Sequence, residues 1–167
     1  MKAVALVTLT LSTLLAWPVI AQRGPDGASD DPIFGTWQLN VSKSTYRPGP
    51  PPRSQVRTYE PHKFGVRATV KTVYADGRST TVQTIYDYDK QEHPVTGSEE
   101  TDSIVVTRMG RYLHEAAFSH AGVHVGTFRR EISKDGRQMT VTLQRRAPPT
   151  DNVEVYEKVD VAKDEPT

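Results

Sequence analysis

Two adjacent arginines are the residues of this chain that are best suited by type and position to bind an anion. Arg129 and Arg130 lie in a run whose composition predicts a β-strand, so one should face the interior of the fold and the other should face solvent. A buried guanidinium is costly unless an acidic group pairs with it. We therefore expect the inward arginine either to form an ion pair with Glu115 or to hold the carboxylate of a ligand.

Two tyrosines offer further contacts for such a ligand. Tyr86 and Tyr88 are two positions apart in another predicted strand, so they share a face and present an aromatic wall with two hydroxyls. Ordinary core packing with satisfied hydroxyls would produce the same spacing. The candidate ligand-binding residues are Arg129, Arg130, Tyr86, Tyr88, Glu115 and Phe128.

A tight turn fixes the expected register of the strand that carries the arginines. Ala121 and Gly122 are suited to a two-residue hairpin turn, and counting back from that turn places Arg130 opposite Leu113 and diagonal to Glu115. On this register Arg129 lies on the other face of the strand.

The histidines do not form a metal-binding pattern. His114 and His120 should lie on one strand face and His124 on the other, while His62 and His93 fall in proline-flanked segments predicted to be loops. No nucleophile motif, glycine-rich phosphate loop or pair of catalytic carboxylates stands out. We therefore predict no catalytic residue, no metal and no cofactor.

Short strands joined by turns must position these side chains. The Asp-Gly pairs at 76–77 and 135–136 are strong hairpin signals, and the proline-rich residues 47–53 predict an extended connection. With no long helical pattern, we predict an all-β, antiparallel up-and-down barrel of about eight to ten strands, with a β-sandwich as the alternative. Predicted strands cover residues 34–39, 55–59, 65–74, 79–88, 103–108, 112–119, 123–132, 138–144 and 153–159.

Composition limits the chain to one domain without covalent cross-links. The 167 residues include no cysteine, and 21 Lys and Arg against 20 Asp and Glu give a formal net charge of +1. A chain of this length can bury enough apolar surface without disulfides. The basic residues are scattered among acidic ones, so we predict no nucleic-acid partner.

The N-terminal residues predict export. Residues 1–21 contain one early lysine, an uncharged apolar run and small residues before a cleavage point after Ala21, which is typical of a secretory signal peptide. An uncleaved membrane anchor is the alternative. After cleavage we expect a periplasmic or secreted protein without stable membrane insertion. The remaining expected segments are a flexible leader at 22–32, a barrel domain at 33–160 and a disordered tail at 161–167.

The chain resembles the lipocalin and fatty-acid-binding-protein superfamily, and within it a group of exported bacterial lipocalin-like proteins. The resemblance covers residues 34 to about 159 and rests on Gly35-Thr36-Trp37, the proline-rich break, and residues 86–89, 94–97, 126–130 and 133–136. It implies a strand that bends at Gly35 and a barrel floor plugged by Trp37. It also implies a basic partner for Trp37 from late in the chain, here Lys158 or Arg146.

These observations favour a binding protein over an enzyme. The favoured hypothesis is an exported lipocalin-like protein that binds a small hydrophobic or amphipathic ligand inside the barrel. One alternative is a barrel enzyme, such as an isomerase, cyclase or hydrolase, that uses Tyr, Arg, Glu or His side chains. The other is a structural or interaction module with a fully packed interior and no ligand.

Overall fold

Each strand of the protein pairs with its neighbours in sequence, and the first strand pairs with the last. The computed structural model describes residues 31–159. In these residues β1 pairs with β10 and closes an antiparallel barrel of ten strands, which confirms the all-β up-and-down prediction. The strands are β1 Gly35–Leu39, β2 Ser54–His62, β3 Gly65–Val73, β4 Ser79–Tyr86, β5 His93–Thr96, β6 Ser103–Gly110, β7 Leu113–His120, β8 Val123–Ile132, β9 Gln138–Arg146 and β10 Pro149–Val159.

Helical structure is minimal in the described part of the chain. A 3-10 helix at Val41–Lys43 follows β1, and the side chain of Asn40 caps it by accepting a hydrogen bond from the amide of Lys43. Within residues 31–159 no helix is long and apolar enough to cross a membrane.

The structure adds one strand and moves several strand boundaries. β5 was missed because it has only four residues and contains Pro94, which argues against a strand. β10 begins at Pro149 rather than at residue 153. The prediction that His62 and His93 lie in loops is wrong, since His62 ends β2 and His93 begins β5.

A bulge changes the predicted register of the arginine strand. The turn has the expected form, with positive φ at Ala121 and Gly122. Beyond the turn, however, Val125 has no partner, and the pairing shifts by one residue. Arg130 therefore lies opposite His114 and not Leu113, and Arg129 lies opposite Glu115.

One end of the barrel is closed around Trp37. The indole is fully buried, and its Nε1 donates to the carbonyl of Ile33 at 2.7 Å. The ammonium of Lys158 lies 5.0 Å from the ring centroid, so Lys158 and not Arg146 is the basic partner. Gly35 has a φ of +120°, and a Cβ there would lie 2.8 Å from the Lys158 side chain. Gly35 thus makes room for the lysine that covers the floor.

Residues predicted to belong to a flexible leader also close this end. Asp31 is buried and accepts hydrogen bonds from the amide of Ile33 at 3.1 Å and from the hydroxyl of Tyr88 at 2.8 Å. The carbonyl of Pro32 accepts a hydrogen bond from Lys158 at 3.3 Å. Asp31 and Pro32, which the sequence analysis assigned to the leader, therefore contact the barrel at its closed end. Other expectations lie outside the described residues: the signal peptide at 1–21, the leader at 22–30 and the tail at 161–167.

Candidate functional site

A cavity of about 590 Å³ occupies the barrel interior. It extends to the end opposite Trp37, where its lining includes Pro48, Pro50 and Pro52 of the proline-rich connection. A cavity of this size lies in the range typical of small-molecule sites.

Arg130 lies deep in this cavity, and its charge has no acidic partner in the described part of the chain. The side chain is 1% exposed because its position on β8 alternates inward with Phe128 and Ile132. Its Nη2 donates to the Tyr86 hydroxyl at 3.3 Å, and its Cζ lies 5.0 Å from the centroid of the Tyr59 ring. No carboxylate of residues 31–159 pairs with Arg130, and its Nε has no hydrogen-bond partner.

Arg130 nevertheless remains charged. Burial by itself lowers the pKa of its guanidinium, but the nearby tyrosine hydroxyls, led by that of Tyr86, more than offset this and raise the pKa above its ordinary value. The inner end of the cavity therefore carries a permanent, unbalanced positive charge.

Arg57 supplies a second guanidinium, but a carboxylate balances its charge. Its Nη2 lies 2.8 Å from Oε2 of Glu154, and its Nε donates to the Tyr156 hydroxyl at 2.8 Å and to Oε1 of Gln55 at 3.1 Å. The Tyr156 hydroxyl in turn donates to Glu154 at 2.6 Å. Arg57 is thus held on one wall of the cavity in a network in which a carboxylate balances its charge.

Tyr59 lies between the two arginines. It is 3% exposed, lines the cavity and follows Arg57 by two positions on β2, so both side chains face inward. Burial disfavours ionisation of its hydroxyl, but the positive charges of Arg130 and Arg57 outweigh burial and lower the pKa of Tyr59 below its ordinary value. The sequence analysis missed Arg57 and Tyr59, although Arg57-Thr58-Tyr59 in a predicted strand was a signal for such a pair.

The predicted ligand-binding residues separate into two groups. Arg130, Tyr86 and Phe128 line the cavity as expected. Arg129 and Glu115 do not: both are about half exposed on the outside of the barrel, where Arg129 lies 3.3 Å from Glu115 and 2.7 Å from Glu131. The bulge explains the correction, because it pairs Glu115 with the outward arginine.

Tyr88 belongs to the closed end and does not line the cavity. Its ring contacts Tyr86 edge-on at 5.8 Å and stacks on His114 at 5.2 Å, and its hydroxyl bonds to Asp31. His114 is fully buried, and neither ring nitrogen has a hydrogen-bond partner, although Nε2 lies 3.8 Å from Asp31. Burial, with the positive charges of Arg130 and Arg108, lowers the pKa of His114 to about 3. A neutral imidazole therefore backs the cavity.

The side chains that face the cavity differ from those of a metal site. No group of three or more His, Cys, Asp or Glu side chains in residues 31–159 is arranged to hold an ion. The groups that face the cavity offer instead positive charge, hydroxyl hydrogen bonds and apolar surface.

Comparison with solved structures finds proteins of similar fold. A fatty-acid-binding protein of Schistosoma mansoni in complex with arachidonic acid is 12% identical with a TM-score of 0.50, covering 80% of this chain and 100% of that one. The zebrafish ileal bile-acid-binding protein complexed with cholic acid is 15% identical with a TM-score of 0.47. The match covers 77% of this chain and 99% of that one. No protein-family model and no curated protein matches the chain. At these identities the likeness shows the fold alone, a closed ten-stranded barrel.

Proposed function

We propose that the protein binds a small amphipathic ligand inside the barrel, with an anionic group of the ligand at Arg130. The observation that carries this proposal is a buried, charged guanidinium that faces a cavity of about 590 Å³ and has no acidic partner among residues 31–159. Leaving such a charge unbalanced is expensive, and an anionic ligand would remove the cost.

The walls above Arg130 suit the apolar part of the ligand. Phe128, Leu143 and Ile104 line the cavity between the arginine and the open end, and the rings of Phe118 and Phe128 lie 5.5 Å apart. Burying a hydrocarbon chain against these side chains provides affinity, while Arg130 and the Tyr86 hydroxyl determine its orientation. A fully packed structural module does not agree with this interior.

Removing the charge of Arg130 tests the proposal. We expect Arg130→Gln to weaken the binding of dodecanoic acid at least about tenfold, because a charge-assisted contact is lost. The matched control is Arg129→Gln, which removes the same charge from the adjacent, outward position and should leave binding unchanged. Isothermal titration calorimetry measures both affinities.

Stability distinguishes a ligand anchor from a structural residue. Because no acidic group among residues 31–159 pairs with Arg130, the unliganded Arg130→Gln protein should be as stable as the wild type or more stable. Equal binding by wild type and Arg130→Gln, together with a large loss of stability in the variant, would contradict the proposed function.

We also propose that the protein is exported to the periplasm or secreted, as expected of the exported bacterial lipocalin-like group. The support is the apolar run and the small residues that precede Gln22. Mass spectrometry of the protein isolated from the periplasm or the culture medium tests this proposal. A protein that retains residues 1–21 would contradict cleavage after Ala21.

A barrel enzyme is the second candidate, and Tyr59 favours it. Because two guanidiniums lower the pKa of Tyr59, its phenol loses its proton to solvent more readily than an ordinary tyrosine does, and the resulting phenolate can accept a proton from a bound molecule. In this alternative Arg130 would orient the substrate and Tyr59 would act as a base.

A further inference from the structure

A third arginine faces the same cavity near its open end. Arg145 on β9 lines the cavity, its side chain is 15% exposed, and its Cζ lies 5.4 Å from the centroid of the Phe118 ring. The β8–β9 register pairs Arg130 with Val141 and Gly126 with Arg145. Arg130 and Arg145 therefore lie at two levels along the paired strands, which we call the arginine levels. These levels are four residues, or about 14 Å, apart.

An apolar band separates the two guanidiniums. Phe128 and Leu143 are paired across β8 and β9 midway between the two arginine levels, and both line the cavity. Phe118 and Ile104 are paired across β6 and β7 on the adjoining wall and line it as well. The cavity thus offers a positive charge, an apolar stretch and a second positive charge along the barrel axis.

The acidic partner of Arg145 is a surface side chain. Glu100 is 61% exposed and belongs to the connection between β5 and β6. Its Oε2 lies 2.8 Å from Nη1 of Arg145, but no aligned hydrogen bond forms at that nitrogen. The only hydrogen bond of Arg145 to a described side chain runs from Nη2 to Thr101 at 3.0 Å. An ion pair with poor geometry whose acidic partner is exposed to solvent contributes little, so an acidic group of a ligand can replace Glu100 at small cost.

We propose that the ligand carries two anionic groups joined by an apolar chain, one bound by Arg130 and the other by Arg145. The inference rests on the proposed function, because the inner anchor is the same arginine. A linear α,ω-dicarboxylic acid has this chemistry. Since carbon–carbon bonds of about 1.5 Å zigzag along an extended chain, about twelve carbons span the distance between the arginine levels.

Paired acids of equal chain length test the inference. Calorimetry of the purified protein compares dodecanedioic acid with dodecanoic acid at one pH and ionic strength. We expect the diacid to bind at least about fivefold more tightly, because a second charge-assisted contact forms. Arg145→Gln should reduce diacid binding to the level of the monoacid and leave dodecanoic acid unaffected. Glu100→Gln should strengthen diacid binding, because the competing carboxylate is removed.

Arg146→Gln is the matched control for Arg145→Gln. It removes the same charge from the next residue of β9, which is exposed, and it should leave the diacid preference intact. If circular dichroism shows that Arg145→Gln does not fold, two other measurements test the two-anchor inference: diacid binding by Glu100→Gln, and binding of octanedioic acid by the wild type. The shorter diacid cannot reach both arginines and should show no advantage over octanoic acid.

The outcomes separate this inference from the proposed function. Equal affinity of wild type for dodecanoic and dodecanedioic acids, or an equal loss of both in Arg145→Gln, would overturn the two-anchor inference. Binding of dodecanoic acid that depends on Arg130 would still support the proposed function. Failure of both acids to bind would overturn both.

Discussion

At the scale of single residues, Tyr59 reports the electrostatics of the cavity. Arg130 and Arg57 together lower the pKa of its hydroxyl against the opposing effect of burial, whereas burial and its neighbours leave the pKa of Tyr86 raised. Tyr59 should therefore be the first of these buried tyrosines to ionise as the pH rises. Arg130→Gln should raise the pKa of Tyr59, because one of the two stabilising charges is lost.

Tyrosinate absorbance during a pH titration measures this effect. Comparing wild type with Tyr59→Phe assigns the earliest ionising step, and Arg129→Gln serves as the control for a change of net charge. If the earliest ionisation step is still present in Tyr59→Phe, that step does not belong to Tyr59. If Arg130→Gln leaves the pKa of that step unchanged, Arg130 does not lower the pKa of Tyr59. The support for a barrel enzyme would then be lost.

The residue types of the site were more predictable than their partners. Strand alternation alone requires that Arg129 and Arg130 face opposite sides, and it places Tyr86 and Tyr88 on one face without saying which face is inward. Which arginine faces inward depends on a single unpaired residue, Val125, which no turn signal in the sequence marks. The network of Arg57 with Glu154 joins residues 97 positions apart and forms only when β10 closes the barrel onto β1 and β2.

At the scale of the strands, Gly126 next to this bulge keeps β8 and β9 in contact. A Cβ at Gly126 would lie 2.4 Å from the backbone carbonyl of Gln144, too close for the strands to keep their pairing unchanged. We expect Gly126→Ala to lower the free energy of unfolding by about 1–3 kcal/mol, as overpacking does elsewhere. The control is Gly110→Ala, since a Cβ there meets nothing within 4 Å.

Urea denaturation of the two variants makes the comparison. Equal stability of Gly126→Ala and Gly110→Ala would show that the strands separate at no cost and would contradict the proposed role of Gly126. Because Arg145 pairs with Gly126 and Arg130 lies four residues further along β8, Gly126→Ala should also disturb the spacing of the two proposed anchors.

The strand pattern itself could be predicted because one face of each strand packs inside the barrel. β8 shows this most clearly, with Gly126, Phe128, Arg130 and Ile132 buried in alternation. β5 could not be predicted, because its short pairing with β4 and β6 is imposed by barrel closure and not by its own composition.

At the scale of the whole molecule, His114 links the stability of the barrel to pH. Its pKa is about 3 in the folded protein against an ordinary value of 6.5, because burial and then Arg130 and Arg108 disfavour the charged ring. Among residues 31–159, Asp31 is the acidic group that lies near the ring, 3.8 Å from Nε2. The unfolded chain therefore binds more protons between these two values. The free energy of unfolding should fall as the pH falls through this window, by up to about 1.4 kcal/mol per pH unit.

Urea denaturation at about pH 6.5 and about pH 4.5 tests this with two variants. Over this interval the wild type should lose about 2 kcal/mol more than His114→Leu, in which the buried titrating group is absent. His124→Gln, which changes an exposed histidine of the neighbouring strand, should follow the wild type. The same pH dependence in His114→Leu and wild type would show that the acid sensitivity arises elsewhere. If the loss of stability at low pH disappears only in His114→Leu, the acid sensitivity arises at His114, behind the cavity. Protonation of the imidazole there adds a second positive charge beside Arg130.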